Sequence, residues 1–321
     1  MKERISCSVV VPVYNEELVI AETYSKIKEV LDSSGDGYEI IFVNDGSCDK
    51  TREKIETICQ NDANAELLNL SRNFGHQAAI TAGMEASEGD SVVVIDGDLQ
   101  DPPDVILRMI GKWREGYDVV YGKRIKREGE TWFKKVTAAA YYRILKKITT
   151  TEIPVDTGDF RLIDRKVCDA LSALPEKSRY IRGLVSWLGF RQTYVEYSRN
   201  GRFAGETKYS LSKMLKLAAD GITSFSSKPL ILPGYFGGFI LVLGDIVFLV
   251  SLSKSLISGT AVLNLALVLS INLMLFGLAF CSLGIMGLYI GRILEESKDR
   301  PLYIVESKIK GKRADEYAAG S

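Results

Sequence analysis

Two aspartates separated by a single glycine are the clearest chemical signal in the sequence. Asp96 and Asp98 flank Gly97 in the run D-G-D-L-Q-D-P-P, which covers Asp96 to Pro103. Glycine permits a tight turn, so both carboxylates can face one pocket. Two carboxylates and the oxygens of a diphosphate make the hard oxygen site that Mg²⁺ or Mn²⁺ prefers. The run therefore predicts a metal that neutralises a departing diphosphate, in preference to a solvated Asp-Gly turn.

Three other residues could contribute chemistry from separate turns. Asp45 in N-D-G-S could accept hydrogen bonds from a base or ribose, or could form an Asx turn or helix cap. Asp159 in D-T-G-D-F-R-L is the candidate for the acceptor side, the alternative being an ordinary turn at a strand start. His76 is the only histidine, and at a helix start a structural hydrogen bond is the commoner role than a nucleotide contact.

Short apolar, β-branched runs alternate with helical patterns along the first 125 residues, as expected for an α/β fold with a parallel sheet covered on both faces. Ligands of such sheets bind beyond the carboxyl ends of the strands, and the polar turns above follow predicted strand ends. We therefore expect the turns to meet at one edge. The predicted strands are Ser8–Val13, Glu39–Val43, Glu66–Leu70, Ser91–Ile95 and Asp118–Tyr121, with helices predicted over Glu17–Leu31, up to Cys59, Gln77–Ser87 and Asp104–Trp113.

The charge of the chain indicates which partners it binds, and its cysteines indicate the kind of compartment. The 321 residues have a formal net charge of zero, so no overall field attracts nucleic acid, and we expect no nucleic-acid partner. A local excess of basic residues between Lys123 and Lys147 indicates an anionic partner at that place. Within it, Arg124 is positioned to bind an acceptor phosphate with two hydrogen bonds. The five scattered cysteines argue against a zinc site and fit a reducing compartment.

The C-terminal third is predicted to be membrane-bound. Leu230–Val250 and Leu265–Ile290 are apolar runs that meet the ~20 residues needed for a spanning helix, and a buried hairpin in a soluble core is the alternative. Basic residues flank the outer ends, which places both termini and the catalytic domain in the cytoplasm. Asp245, inside the first run, should face protein or water. The predicted boundaries are a catalytic domain at 1–205, an amphipathic interface helix at 206–228, two transmembrane helices at 229–291 and a cytoplasmic tail at 292–321.

Taken together, the motifs resemble glycosyltransferase family 2, and within it the polyprenyl-phosphate glycosyltransferases, which include dolichol-phosphate mannose synthase and the bacterial undecaprenyl-phosphate glucosyltransferases. The resemblance spans the soluble domain, and two C-terminal spans are typical of the bacterial members. The stretches that carry it are V-V-V-P-V-Y-N-E-E at Val9–Glu17, V-N-D-G-S-C-D-K-T at Val43–Thr51, L-S-R-N-F-G-H-Q-A-A at Leu70–Ala79, V-I-D-G-D-L-Q-D-P-P at Val94–Pro103, D-T-G-D-F-R-L at Asp156–Leu162 and R-F-A-G-E-T-K-Y at Arg202–Tyr209.

The resemblance implies a GT-A fold, which is Rossmann-like with a mostly parallel sheet, together with a nucleotide-sugar donor, bound Mg²⁺ or Mn²⁺ and inversion at the anomeric carbon. It also implies a homo-oligomer. Family members often have a serine where this chain has Thr137-Ala138, so the acceptor contacts of that segment depart from the pattern. The implied roles are nucleotide binding by Pro12, Tyr14, Glu16, Asp45 and Asp96, metal binding by Asp98 and Gln100, acceptor-phosphate binding by Arg124, Lys135 and Arg202, and catalysis by Asp159 and Asp98.

The function expected from these features is inverting transfer of one sugar, preferably glucose from UDP-glucose, onto a polyprenyl phosphate such as undecaprenyl phosphate. The reaction would occur at the cytoplasmic face of a bacterial plasma membrane. A lipid monophosphate, with a second pKa near ~6, is mostly ionised at neutral pH. Asp159 is therefore expected to orient a substrate and not to remove a proton.

Three alternatives are weighed against this expectation. Another donor, of the GDP-mannose or UDP-GlcNAc type, could serve the same lipid acceptor. A catalytically silent nucleotide-binding membrane scaffold would keep the same acids without turnover. A processive polysaccharide synthase is disfavoured, because none of the four glutamines begins the Q-x-x-R-W motif of such enzymes.

Overall fold

A computed structural model describes residues 5–125, 157–177, 179–199 and 265–311, together with scattered helical positions between 230 and 257. Of the predicted site residues, Lys135 and Arg202 lie outside the described residues. So do Asp245 and the predicted interface helix at 206–228.

Eight strands form one mixed sheet, in the order β7-β5-β6-β4-β1-β2-β3-β8. β1 to β4 are mutually parallel, β6 runs antiparallel to its neighbours β4 and β5, and β7 is parallel to β5. The predicted mostly parallel α/β sheet is confirmed, with β6 reversed inside it. The strands are β1 (Cys7–Val13), β2 (Tyr38–Asn44), β3 (Ala65–Leu70), β4 (Ser91–Val94), β5 (Val119–Arg124), β6 (Thr157–Asp164), β7 (Gln192–Tyr197) and β8 (Val305–Lys310).

Helices cover both faces of this sheet. Successive residues of a strand point to opposite sides, so neighbouring residues of β1 pack into different cores. Val9 and Val11 pack into the core under α1, α2 and α4, whereas Val10 packs into the core under α3, α5 and α6. β1 and β2 are buried along their whole length, as the central strands of a doubly covered sheet should be. The helices are α1 (Ile20–Ser34), α2 (Thr51–Asn61), α3 (His76–Ala86), α4 (Val105–Arg114), α5 (Arg165–Ser172), α6 (Ile181–Trp187) and α7 (Leu265–Ser297).

The segment after α7 adds a strand to the sheet. The sequence predicts a cytoplasmic tail at 292–321, but β8 pairs antiparallel with β3, in a register that places Leu67 opposite Ile309. The amide of Ser71 also donates a hydrogen bond to the carbonyl of Ile304. The alternating pattern of β8 was missed because its outward-facing residues are exposed and its partner strand lies far away in sequence. The catalytic sheet therefore includes a strand that follows α7.

α7 carries the described segment best suited to a bilayer. Within Met274–Ser297, a stretch of 18 residues has a mean hydropathy of 1.9, and none of that stretch is buried inside the protein. Among the described residues this is the one helix long and apolar enough to cross a membrane, where two had been predicted. In the first predicted span the structure shows a shorter apolar helix, Pro233–Gly244, some of whose residues lie outside the described ones.

Candidate active site

The turns after β1 and β2 are joined to each other by hydrogen bonds. The Asn15 amide donates to Ser47 Oγ at 3.0 Å, and the Cys48 amide donates to Asn15 Oδ1 at 2.8 Å. The Glu16 amide donates to Thr51 Oγ1 at 2.8 Å. The two turns therefore form one rigid rim. Of the residues predicted to hold the nucleotide here, Tyr14 is exposed and Glu16 is half-buried on the rim, whereas Pro12 is buried within β1.

Asp45 fixes the turn that follows β3. Its two carboxylate oxygens accept hydrogen bonds from the backbone amides of Phe74, at 2.7 Å, and Gly75, at 3.0 Å. Burial raises the pKa of the Asp45 carboxyl above its usual value, although these two amides and nearby His76 oppose the shift. These bonds join the turn after β2 to the turn after β3, so any nucleotide contact made by Asp45 would be additional to them.

The D-G-D turn after β4 is folded tightly against α1 and β1. The Thr23 hydroxyl donates to the carbonyl of Gly97 at 2.8 Å, and a Cβ on that glycine would lie 3.0 Å from the Val13 side chain. Asp98 Oδ1 accepts a hydrogen bond from the amide of Gln100 at 3.1 Å, which closes the turn. Asp96 and Asp98 are both partly exposed, so each side chain is in part accessible to solvent.

His76 lies between two acids that come from different parts of the chain. Its Nε2 is 3.5 Å from Asp96 Oδ1 and 3.4 Å from Asp159 Oδ2. Burial alone would lower the pKa of His76, but the hydrogen bond to Asp159 and the charge of Asp96 raise it to about 9. His76 is therefore a cation at neutral pH, and it connects the turn after β4 to the start of β6.

Asp159 is held by several donors at the start of β6. Arg182, in α6, binds its two oxygens through Nε and Nη2, both at 2.9 Å. Gln77 Nε2 lies 3.4 Å from Oδ2, and Arg161 Nη2 lies 3.8 Å from Oδ1. Burial would raise the pKa of Asp159, but the charge of Arg182 and the bonds from His76 and Arg182 hold it well below the usual range. A carboxylate in this state is poorly suited to accept a proton.

Arg124, the described candidate for acceptor-phosphate binding, faces a buried acid. Its Nη2 lies 3.7 Å from Asp101 Oδ2, and its Nε donates to the Tyr197 hydroxyl at 3.2 Å. That hydroxyl donates to Asp101 Oδ1 at 2.5 Å, and Arg199 Nε is 3.3 Å from the same oxygen. Asp101 is fully buried, so this network links the end of the D-G-D-L-Q-D run to β5 and β7.

Comparisons with known proteins show the family and the fold of the chain. The profile of the family described as Glycosyl transferase family 2 matches residues 8–172. The chain belongs to glycosyl transferase family 2. It is 54% identical over 306 residues to the uncharacterized glycosyltransferase YkcC of Bacillus subtilis (strain 168), a match that covers 95% of each chain.

Relatives of this family 2 glycosyltransferase include a bactoprenol glucosyl transferase of Shigella phage SfX. The two are 38% identical over 301 residues, covering 94% of this chain and 99% of the phage protein. Among solved structures, mannosyl-3-phosphoglycerate synthase from Rubrobacter xylanophilus superposes with a TM-score of 0.50 at 16% identity. That match covers 68% of this chain and 72% of the synthase, and it shows that the two share the GT-A-like fold.

The acids of this family 2 site fit a divalent ion that takes further ligands from a substrate. Oδ1 of Asp96 is buried and accepts no hydrogen bond from the described residues, although the side chain as a whole is 28% exposed. Burial raises the pKa of Asp96 to about 6; Asp101, Asp159 and Asp98 add to the shift and His76 opposes it. A cation would relieve this crowding of charge. No three His, Cys, Asp or Glu side chains among the described residues form a ready metal cluster, so the missing ligands would be diphosphate oxygens.

Several residues of the glycosyltransferase cleft were not predicted from the sequence. Asp101 and Arg161 lie inside the quoted motifs, so proximity to the D-G-D turn and to Asp159 could have indicated them. Gln77, which follows His76 directly, could have been found in the same way. Nothing in the sequence around Arg182 or Tyr197 marks either residue, because the contacts that bring them to the cleft join distant segments.

Proposed function

We propose that the protein transfers glucose from UDP-glucose to a polyprenyl phosphate such as undecaprenyl phosphate, with inversion at the anomeric carbon. The observation that carries the proposal is the contact of His76 with both Asp96, in the D-G-D turn, and Asp159, at the start of β6, in a family 2 chain. A relative that matches this chain over nearly its whole length is named for glucosyl transfer to bactoprenol. The spanning-length helix α7 supports an acceptor that resides in a membrane.

On the donor side, the rim formed by the first two turns would hold the nucleotide. Tyr14 and Glu16 line this rim, with Pro12 below them and Asp45 fixing the adjacent loop. Asp96 would contact the nucleotide from the opposite turn. Asp98 and Gln100 would hold Mg²⁺ or Mn²⁺, which when bound supplies positive charge for the departing diphosphate.

On the acceptor side, the phosphate oxygen would attack the anomeric carbon of the sugar as the bond from that carbon to the diphosphate breaks. The phosphate is ionised at neutral pH, so the step does not require Asp159 to take a proton. The ionised, doubly bound state of Asp159 supports a role in orientation. Arg124, with Lys135 and Arg202, would bind the acceptor phosphate, and Arg124 would have to share its guanidinium with Asp101.

The proposal places the cleft at the cytoplasmic face of a bacterial plasma membrane, with both termini in the cytoplasm and the chain forming a homo-oligomer. The structural support is the short connection between α7 and β8. The amide of Lys177 donates to Glu296 Oε1 at 2.9 Å, and Lys177 Nζ lies 2.8 Å from Asp299 Oδ1. The catalytic domain is therefore attached directly to the end of the apolar helix.

A transfer assay tests the proposal. The purified full-length chain in lipid nanodiscs would be incubated with radiolabelled UDP-glucose, undecaprenyl phosphate and Mg²⁺, and label in the organic phase would be counted. Parallel reactions would use GDP-mannose, UDP-GlcNAc or EDTA. Asp98→Asn is the test variant, and Asp104→Asn, an exposed aspartate six residues further on, is the matched control.

We expect lipid-linked label from UDP-glucose that is lost with EDTA and in Asp98→Asn but kept in Asp104→Asn. Label from a different nucleotide-sugar alone would replace the proposed donor. An absence of lipid product with every donor would overturn the transferase proposal and favour the silent scaffold.

A further inference from the structure

Arg182 makes the most complete contact to Asp159, and it comes from a helix with no recognisable motif. Nε and Nη2 form parallel hydrogen bonds, both 2.9 Å long, to the two carboxylate oxygens. Such a two-point bond fixes the plane of the carboxylate as well as its position. Asp159 is 7% exposed, so it depends on this partner to keep its charge inside the protein.

We propose that Arg182 is a positioning residue for the transfer reaction, acting through Asp159. The inference rests on the proposed function and deepens it, since it names the residue that determines where the Asp159 carboxylate lies in the cleft. Asp159 in turn fixes His76, and His76 reaches Asp96 on the donor side. The Arg182 guanidinium would thereby fix the position of Asp159, on the acceptor side, relative to Asp96, on the side of the sugar donor.

Gln77 shows that the segments involved form one unit. Its amide nitrogen lies 3.4 Å from Asp159 Oδ2, and its amide oxygen accepts a hydrogen bond from the backbone of Ile181 at 3.1 Å. Ile181 immediately precedes Arg182 in α6. The starts of α3, β6 and α6 are therefore joined at Asp159. Gln77 links the backbone of α6 to this acid, and the same helix carries the Arg182 guanidinium that binds it.

The other cations near Asp159 cannot substitute for Arg182. Arg161 approaches at 3.8 Å, beyond hydrogen-bond distance, and its Nη2 donates instead to the carbonyl of Gly158 at 3.0 Å. His76 offers a single nitrogen, which lies about as far from Asp96 as from Asp159. Loss of Arg182 would leave Asp159 free to rotate toward either of these groups.

A double-mutant cycle tests the inference in the transfer assay. The variants are Arg182→Gln, Asp159→Asn and the two combined, with Arg182→Lys as the conservative change. Arg114→Gln is the matched control, because it breaks an arginine–aspartate pair, with Asp36, on the surface. The measurements are kcat, the KM values for UDP-glucose and for undecaprenyl phosphate, and thermal unfolding of each variant, which separates misfolding from misplacement.

We expect Arg182→Gln to lower kcat roughly 10- to 100-fold, as misplacement of a reacting group does, with the KM for UDP-glucose nearly unchanged. Arg182→Lys should recover part of the loss, and Arg114→Gln should match wild type. If Arg182 acts through Asp159, the double variant should be no slower than Asp159→Asn alone. It should also unfold at a higher temperature than Arg182→Gln, because the neutral side chain introduced by Asp159→Asn does not need the two-point bond that Asp159 loses in the single variant.

Two results would overturn the inference while the proposed function stands. In the first, wild type is active and Arg182→Gln has the same kcat. In the second, the fold-decrease of kcat in the double variant equals the product of the fold-decreases in the two single variants. A wild type that forms no lipid product from any donor would overturn the proposed function and the inference together, so the two kinds of failure are distinguishable.

Discussion

Gly46 is the position at which a single methyl group should displace the candidate site. It lies directly after Asp45 with φ +68°, a left-handed conformation that residues with a Cβ adopt only at a cost. A Cβ placed there would be 2.6 Å from the backbone carbon of Arg72 and 2.6 Å from the backbone nitrogen of Asn73. Backbone atoms cannot rotate aside as a side chain can. Gly46→Ala should therefore push the turn after β3 away from Asp45.

The magnitude has two parts. The left-handed conformation costs an alanine ~1–2 kcal/mol relative to glycine. Relief of the overlap should cost a further ~1–3 kcal/mol, the usual range for overpacking. The displaced turn carries the Phe74 and Gly75 amides that Asp45 binds, and it leads into His76. We therefore expect a loss of roughly 2–5 kcal/mol in the free energy of unfolding and a lower kcat/KM.

Gly35 provides a control for the cost of the left-handed conformation alone. It ends α1 with φ +69°, almost the same backbone conformation, and a Cβ there would meet no atom within 4 Å. Gly35→Ala should therefore cost only the ~1–2 kcal/mol of conformational strain. Thermal unfolding of both variants gives the difference directly. At ~2–4 °C per kcal/mol, Gly46→Ala should unfold about 2–12 °C below Gly35→Ala.

The comparison can fail in a clear way. Equal unfolding temperatures for the two variants would show that the β2 and β3 turns do not approach as closely as the contacts of Gly46 require. A Gly46→Ala protein with wild-type kcat/KM would show that the turn after β3 does not have to be placed by Asp45 for the site to work.

Three further predictions follow from individual contacts. Asp45→Asn puts an NH₂ group against a backbone amide, and we expect a loss of ~1–3 kcal/mol in unfolding free energy; unchanged thermal unfolding would contradict the two hydrogen bonds assigned to this carboxylate. His76 has a pKa raised to about 9 from the ordinary 6.5, so its stabilising contribution is complete below pH ~6.5 and is lost as pH rises through about 9. Chemical denaturation at pH 7 and pH 10 should then show a larger loss of stability for wild type than for His76→Gln, and parallel losses would refute the contacts of His76 with Asp96 and Asp159. Ile309→Ala in β8 should destabilise the protein by ~1–2 kcal/mol, because Ile309 packs on the core, whereas the exposed Val305→Ala should have little effect; equal effects would argue against β8 as part of the sheet.

The first half of the fold was predictable because its pattern is local. β1 to β4 are short apolar runs separated by amphipathic helices, and the structure places each within a few residues of its predicted bounds. The polar turns after these strands meet at one edge because neighbouring parallel strands end there. The sequence therefore predicts that these turns lie near one another, as their hydrogen bonds show.

The remainder could not be predicted because it depends on pairings between distant segments. β6 enters the sheet in reverse between β4 and β5, and this reversal brings Asp159 toward His76. The partner of β8 lies more than two hundred residues earlier in the chain. Arg182 belongs to a short helix whose sequence carries no catalytic motif. In each case the chemistry of the residue is visible in the sequence, but its partner is not.

β8 connects the long apolar helix α7 to the candidate site more directly than the linear order of the chain indicates. β8 pairs with β3, and the turn after β3 is the one that Asp45 binds. The Tyr303 hydroxyl also donates to Glu85 Oε2 at 2.5 Å, near the end of the helix that begins with His76. Both contacts therefore act on elements that position the candidate site. The segment that follows α7 is thereby joined to β3 and to α3, the elements that position the candidate site.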